Sequence, residues 1–192
     1  VPKGGRYINV VRNPGDVLVS NFKFMEGWFI EPGAIGIEEF ARETFLKKPE
    51  YFDHLKSWWP RRHDPDVLFM AYELNLADSA AAIAQIAGFI GVPLDDELLE
   101  LTLKHSSIDF MLQHKDRFDD VLMRELSERD GALPKGSDSA KVREGKAGSA
   151  KSLPPDLQAA VNQMWVDEAA EFTGCATYDE LLGTLRQELA GA

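Results

Sequence analysis

The sequence predicts an α/β fold with parallel packing, on three observations. Two short, continuous apolar runs, Tyr7-Ile8-Asn9-Val10-Val11 and Val67-Leu68-Phe69-Met70-Ala71-Tyr72, have the composition of strands buried on both faces. A helix-start signal follows the first run directly. The rest of the chain is dominated by amphipathic helical patterns, which is how strands of that kind are covered. The 192 residues suit one domain, and 44% hydrophobic with 28% charged residues is the balance of a globular chain. A net charge of −11 argues against a nucleic-acid partner, because phosphate neutralisation needs a basic face. It leaves room for one local anion site. No apolar run approaches the length of a membrane span, and the single Cys175 excludes an internal disulfide or a cysteine-rich zinc site.

The elements follow in order. After the first strand, Asn13 is a good N-cap, Pro14 fits the first helical position and Asp16 adds an acidic first turn. The helix then runs to Met25 with Val17, Leu18, Phe22, Phe24 and Met25 apolar. Arg12 is thereby delivered by a strand end to a helix start, with the helix N–H groups beside it, an arrangement suited to an anion. Residues 27–36 read as a loop with a Pro-Gly turn, carrying Trp28, Phe29 and Ile30. Helices are expected over 37–46 and 51–59, stopped by Pro49 and Pro60. The second strand places Tyr72 and Glu73 at its C-terminal end, where α/β sheets face their ligands. Helices over 79–90 and 95–105 follow, then a mixed, partly helical stretch to 126. Residues 131–152 form a glycine-rich loop. Helices over 155–172 and 178–189 close the chain. Two strands are few for an open sheet, so the sequence suggests that part of the sheet lies outside these residues.

Four places have residues suited to chemistry. Arg12 and Ser20, across the strand–helix turn, can converge on one phosphate; the competing reading is a structural ion pair and a packed serine. Residues 135–151 hold five basic and two acidic residues, a local net of +3, and Lys141, Arg143, Gly145 and Lys146 could form an anion cradle or simply a solvated loop. Tyr72 and Glu73 end the second strand. His105-Ser106-Ser107-Ile108 follows a helix and reads equally as a helix C-cap. Pro2-Lys3-Gly4-Gly5 precedes the first strand and lacks the Gly-Lys-Ser/Thr ending of a phosphate loop.

Taken together, these pieces resemble one family: the soluble sulfotransferases that use 3′-phosphoadenosine 5′-phosphosulfate (PAPS). RYINVVRNPGDVLVSNFKF (6–24) resembles the family's 3′-phosphate-binding strand–turn–helix. EPGAIGIEEF (31–40), EYFDHLKSWWPRRHDPDVLFMAYE (50–73), IAQIAGFIGVPLDDELLELTLKHSSIDFM (83–111) and KVREGKAGSAK (141–151) continue the pattern in order. The resemblance implies a three-layer α/β/α domain with a mostly parallel sheet, of the kind found in P-loop nucleotide hydrolases. Here the N-terminal part of the sheet would be missing, so residues 1–192 would be one domain truncated at its start.

The family's roles carry over by position. Arg12 and Ser20 would bind the 3′-phosphate. Val142, Arg143, Glu144 and Gly145 would close over it. Tyr72, Ser106 and Ile108 would meet the adenine. The departures are Glu144 where the family has Lys, Ser149-Ala150 for Asp-Trp, Ile108 for Phe and Leu74 for Asp. The family's dimerisation motif is not recognisable in 151–165. Its phosphosulfate loop with the Lys, and the His that acts as general base, are expected upstream of Val1, so no catalytic residue is assigned within the chain. The implied function is transfer of a sulfuryl group from PAPS, leaving PAP, to a hydroxyl or amine of a small acceptor, in a cytoplasmic protein with no nucleic-acid or membrane partner. Trp28, Phe29 and Ile30 are candidates for acceptor contacts. The alternative is a truncated, inactive PAP-binding or interaction module. A nucleotide kinase would need a Walker A loop and Mg²⁺ ligands that this sequence does not contain.

Overall fold

The computed structural model describes residues 4–26, 28–131, 142 and 145–191. Strand β1 (Tyr7–Val11) leads into helix α1 (Pro14–Met25), then α2 (Ile37–Phe40), a π-helical turn (Ala41–Phe45), α3 (Glu50–Trp58) and a 3₁₀ turn (Trp59–Arg61). Strand β2 (Val67–Ala71) is followed by α4 (Tyr72–Ala77), α5 (Ser79–Ile90), α6 (Asp96–Ser106), α7 (Ile108–Gln113), a 3₁₀ turn (Lys115–Phe118) and α8 (Val121–Asp130). Further along come a 3₁₀ turn (Ser149–Ser152), inside the stretch expected as loop, then α9 (Pro155–Glu168), α10 (Ala170–Thr173) and α11 (Tyr178–Ala190).

The two strands pair in parallel, Tyr7 opposite Val67 through Val11 opposite Ala71. The α/β class with parallel packing is therefore present. One face of the pair builds the main core: Val11, Val67, Phe69 and Ala71 pack with Phe52, Leu55 and Trp59 from the α3 region and with Trp165, Tyr178, Leu181 and Leu185 from α9 and α11. A second core beneath α1 joins Leu18 and Val19 to Phe40, Ala41, Leu153, Leu157 and Val161. Leu153 and Leu157 thus anchor the chain leading into α9 against α1.

Two expectations need correction. Strand β1 is not buried on both faces: Ile8 and Val10 are 44% and 47% exposed, while Asn9 and Val11, pointing the other way, are buried. Apolar composition does not distinguish a strand covered on one side from one covered on both. Second, β2 ends at Ala71. Tyr72 and Glu73 open helix α4 instead of extending the strand. Their side chains still project from the end of the sheet, because α4 starts where the strand stops. Among the described residues, no helix is long and apolar enough to cross a membrane.

Candidate functional site

The turn between β1 and α1 is fixed from three directions. The Asn13 side chain caps α1, accepting from the N–H groups of Gly15 (2.9 Å) and Asp16 (3.2 Å). The Asn13 backbone N–H donates to Glu73 Oε1 at 2.8 Å, and the Tyr178 hydroxyl donates to Glu73 Oε2 at 2.6 Å. The Tyr51 hydroxyl donates to the Arg12 carbonyl at 2.7 Å. Burial, reinforced by the negative charge of Glu73, pushes the Tyr51 and Tyr178 hydroxyls well above the ordinary tyrosine range. Both remain donors, so this hydrogen-bonded frame holds through neutral pH.

The same geometry overturns one expectation. The first N–H groups of α1 do not face a ligand. Pro14 has none, Asn13 Oδ1 takes those of Gly15 and Asp16, and Val17 N–H donates to the Asn13 carbonyl at 2.9 Å. A well-capped helix start has used its donors on itself. The donors for an anion must come from other groups of the site.

Arg12 is such a donor. Its guanidinium lies 4.4 Å from the centre of the Tyr72 ring, Nη2 donates to the Lys146 carbonyl at 3.0 Å, and Nη2 stands 3.6 Å from Asp16 Oδ2. Arg12 Nε is buried with no hydrogen-bond partner among the described residues. A buried donor without an acceptor costs about 1–3 kcal/mol, which an anion placed there would recover.

Arg12 opens onto a cavity of about 600 Å³. From the sequence-predicted set the structure brings Arg12, Ser20, Tyr72, Ile108, Val142 and Gly145 to its wall. Gly145 adopts φ +58°, and a Cβ there would meet the Ile108 side chain at 3.0 Å, so glycine suits both the backbone and the close approach to α7 at this position. Ser106 is not among the lining residues; its hydroxyl donates back to the Thr102 carbonyl at 2.7 Å. Arg143 and Glu144, like Lys141, lie outside the described residues. Trp28 is buried and stacks on Phe24 at 5.1 Å, while Phe29 is exposed.

Sequence reasoning did not assign Lys23 and Phe24 to the wall, although Ser20, Lys23 and Phe24 share one helical face at i, i+3 and i+4. Met111, one turn after Ile108, was legible in the same way. Nothing local signalled Asp16. It is 1% exposed and accepts from Gly148 N–H at 2.6 Å and Ala150 N–H at 2.7 Å.

A sulfotransferase domain family matches residues 3–181. The chain belongs to that family. Over 114 residues it is 34% identical to human sulfotransferase 2A1, covering 57% of this chain and 40% of that protein. Over 123 residues it is 29% identical to mouse sulfotransferase 1 family member D1, covering 62% of this chain and 42% of the relative. The chain thus spans about two fifths of the length of these relatives. Among solved structures it is similar to retinol dehydratase in a complex with retinol and PAP, with TM-score 0.66, 26% identity, and 85% of this chain and 47% of that one covered. Mouse sulfotransferase SULT7A1 complexed with PAP shares the fold, with TM-score 0.69, 22% identity, and 94% and 63% of the two chains covered.

Proposed function

We propose that this chain carries the 3′-phosphate and adenine half of a PAPS site, in a sulfotransferase that moves a sulfuryl group to a hydroxyl or amine of a small acceptor. The observation that carries this reading is the Arg12 guanidinium, braced by Tyr72, Asp16 and the Lys146 carbonyl, with a buried Nε that has no acceptor among the described residues. The cavity it opens onto is of nucleotide size and also holds Ser20 and the cations Lys23 and Lys146. The structures bound to PAP support the same reading.

On this reading Arg12 and Ser20 hold the 3′-phosphate, as a fork of N–H donors and a hydroxyl suit phosphate oxygens. Tyr72 and Ile108 wall the adenine; Ser106, which the family pattern places with them, does not line the cavity. Val142, Arg143, Glu144 and Gly145 belong to the loop that closes over the phosphate. PAPS supplies the sulfuryl group. The chain's own residues bind and orient the nucleotide. Phe24, at the cavity wall and 38% exposed, and Phe29 offer an apolar face to the acceptor. A small-molecule acceptor fits the neighbour bound to retinol, and the net charge of −11 argues against a nucleic-acid one.

Titration calorimetry with PAP and with adenosine 5′-phosphate tests the site. The chain should bind PAP more tightly, and Arg12→Ala should remove most of that preference, about tenfold to a hundredfold for charged hydrogen bonds. Equal affinity for the two nucleotides would overturn the assignment.

A further inference from the structure

We infer that Asp16 is a positioning residue: its buried carboxylate latches the glycine-rich loop onto α1 and so builds the phosphate-facing wall before the nucleotide arrives. The inference rests on the 3′-phosphate reading of the cavity.

A carboxylate is an unexpected neighbour for an anion site. Asp16 Oδ2 lies 3.6 Å from the Arg12 guanidinium and would repel a phosphate drawn to it. The carboxylate is nonetheless almost completely buried. Its partners account for this. Oδ2 accepts from Gly148 N–H at 2.6 Å and Oδ1 from Ala150 N–H at 2.7 Å, two short charge-assisted bonds to a segment more than 130 residues away. Lys146, between Gly145 and this latch, gives its carbonyl to Arg12 Nη2. One carboxylate therefore orients the guanidinium and holds the loop that the guanidinium also grips. The seat beneath is shaped to match. A Cβ built on Gly15 would stand 2.7 Å from the Ala150 Cβ, so the loop rests directly on the first turn of α1.

The sign of one change decides between this role and simple charge tempering. Asp16→Asn keeps one acceptor oxygen but turns an NH₂ toward a backbone N–H, so one arm of the latch is lost. A latch predicts PAP affinity about tenfold or more lower, with adenosine 5′-phosphate changed less than about twofold, since only the 3′-phosphate faces this loop. If Asp16 only weakens Arg12, the same variant binds PAP more tightly, and the inference is wrong. An equal loss for both nucleotides, the mark of a merely structural residue, overturns it as well. Gly15→Ala provides the independent route, lifting the loop while leaving the carboxylate intact, and should lower PAP affinity selectively.

Hydrogen exchange on the unliganded wild-type chain needs no variant. The Gly148 and Ala150 amides should be protected, and free exchange at both rejects the latch. If wild type shows no preference for PAP, the functional reading fails, and the latch then stands or falls on this exchange result alone.

Discussion

The two walls of the cavity are built differently. On one side, β1 and α1 are tied by Asn13, Glu73, Tyr178 and Tyr51, and their apolar residues enter two cores. On the other stands α7, which buries no residue at all; α6 before it also buries none, and α8 after it buries only Ser127. Leu101, Leu112, Val121 and Leu122 stand 44–66% exposed. Yet α6, α7 and α8 have better side-chain caps than many buried helices, from Asp95, Ser107 and Asp120. Capping sets where a helix starts, and burial sets how much its removal costs. The charge-bearing groups sit on the wall fixed by tertiary contacts, and the apolar contacts Ile108 and Met111 come from the wall held by local ones. Segments with few buried contacts open at low free energy, so amides of α6–α8 should exchange before those of β1 and α1.

The largest expected break in this contrast is Trp165→Ala. The ring is 2% exposed, and its Nε1–H donates to the Cys175 carbonyl at 3.0 Å. Emptying that space should cost about 3–5 kcal/mol, read from the urea midpoint. Glu73→Ala comes next, leaving the Asn13 N–H and the Tyr178 hydroxyl without their acceptor. A loss of about 3 kcal/mol is expected, with PAP affinity falling in parallel because the same turn carries Arg12.

Alkaline pH tests the same frame without a mutation. Tyr51 and Tyr178 hold their protons more tightly folded than unfolded, chiefly through burial. The unfolded chain therefore releases protons first. Stability is fully present below about pH 10 and falls above it, by about 1.4 kcal/mol per tyrosine for each further pH unit. Tyrosinate absorbance from these two of the four tyrosines should rise together with unfolding. Early, separate titration would show that the frame is looser than its geometry.

Gly145→Ala should cost about 1–2 kcal/mol and weaken PAP, through the positive φ and the Ile108 contact. At the small end, Leu122→Ala, at 66% exposure, should change stability by less than about 0.5 kcal/mol. A large loss there would mean that the second wall is packed more firmly than its burial shows.

What the sequence determined by itself is local. Asn13-Pro14 marks the start of α1, and the Gly91 that follows Ile90, in the left-handed region, ends α5. Cap chemistry and φ preferences act within a few residues, so these boundaries were legible. The order of motifs also placed Arg12, Ser20, Tyr72 and Gly145 in one family pattern, and the structure brings all four to the same cavity. Helix α4 was hidden because Tyr72 continues the apolar run of β2 and Ala71, at the N-cap, supplies no side-chain cap. The exposed face of β1 was hidden because composition does not report what covers a strand. Only the tertiary structure decided that Arg12 Nε is left without an acceptor among the described residues while Nη2 reaches the Lys146 carbonyl, and that Asp16 holds Gly148 and Ala150. Each of these depends on which groups meet across more than a hundred residues of chain, and local preference carries no information about that meeting.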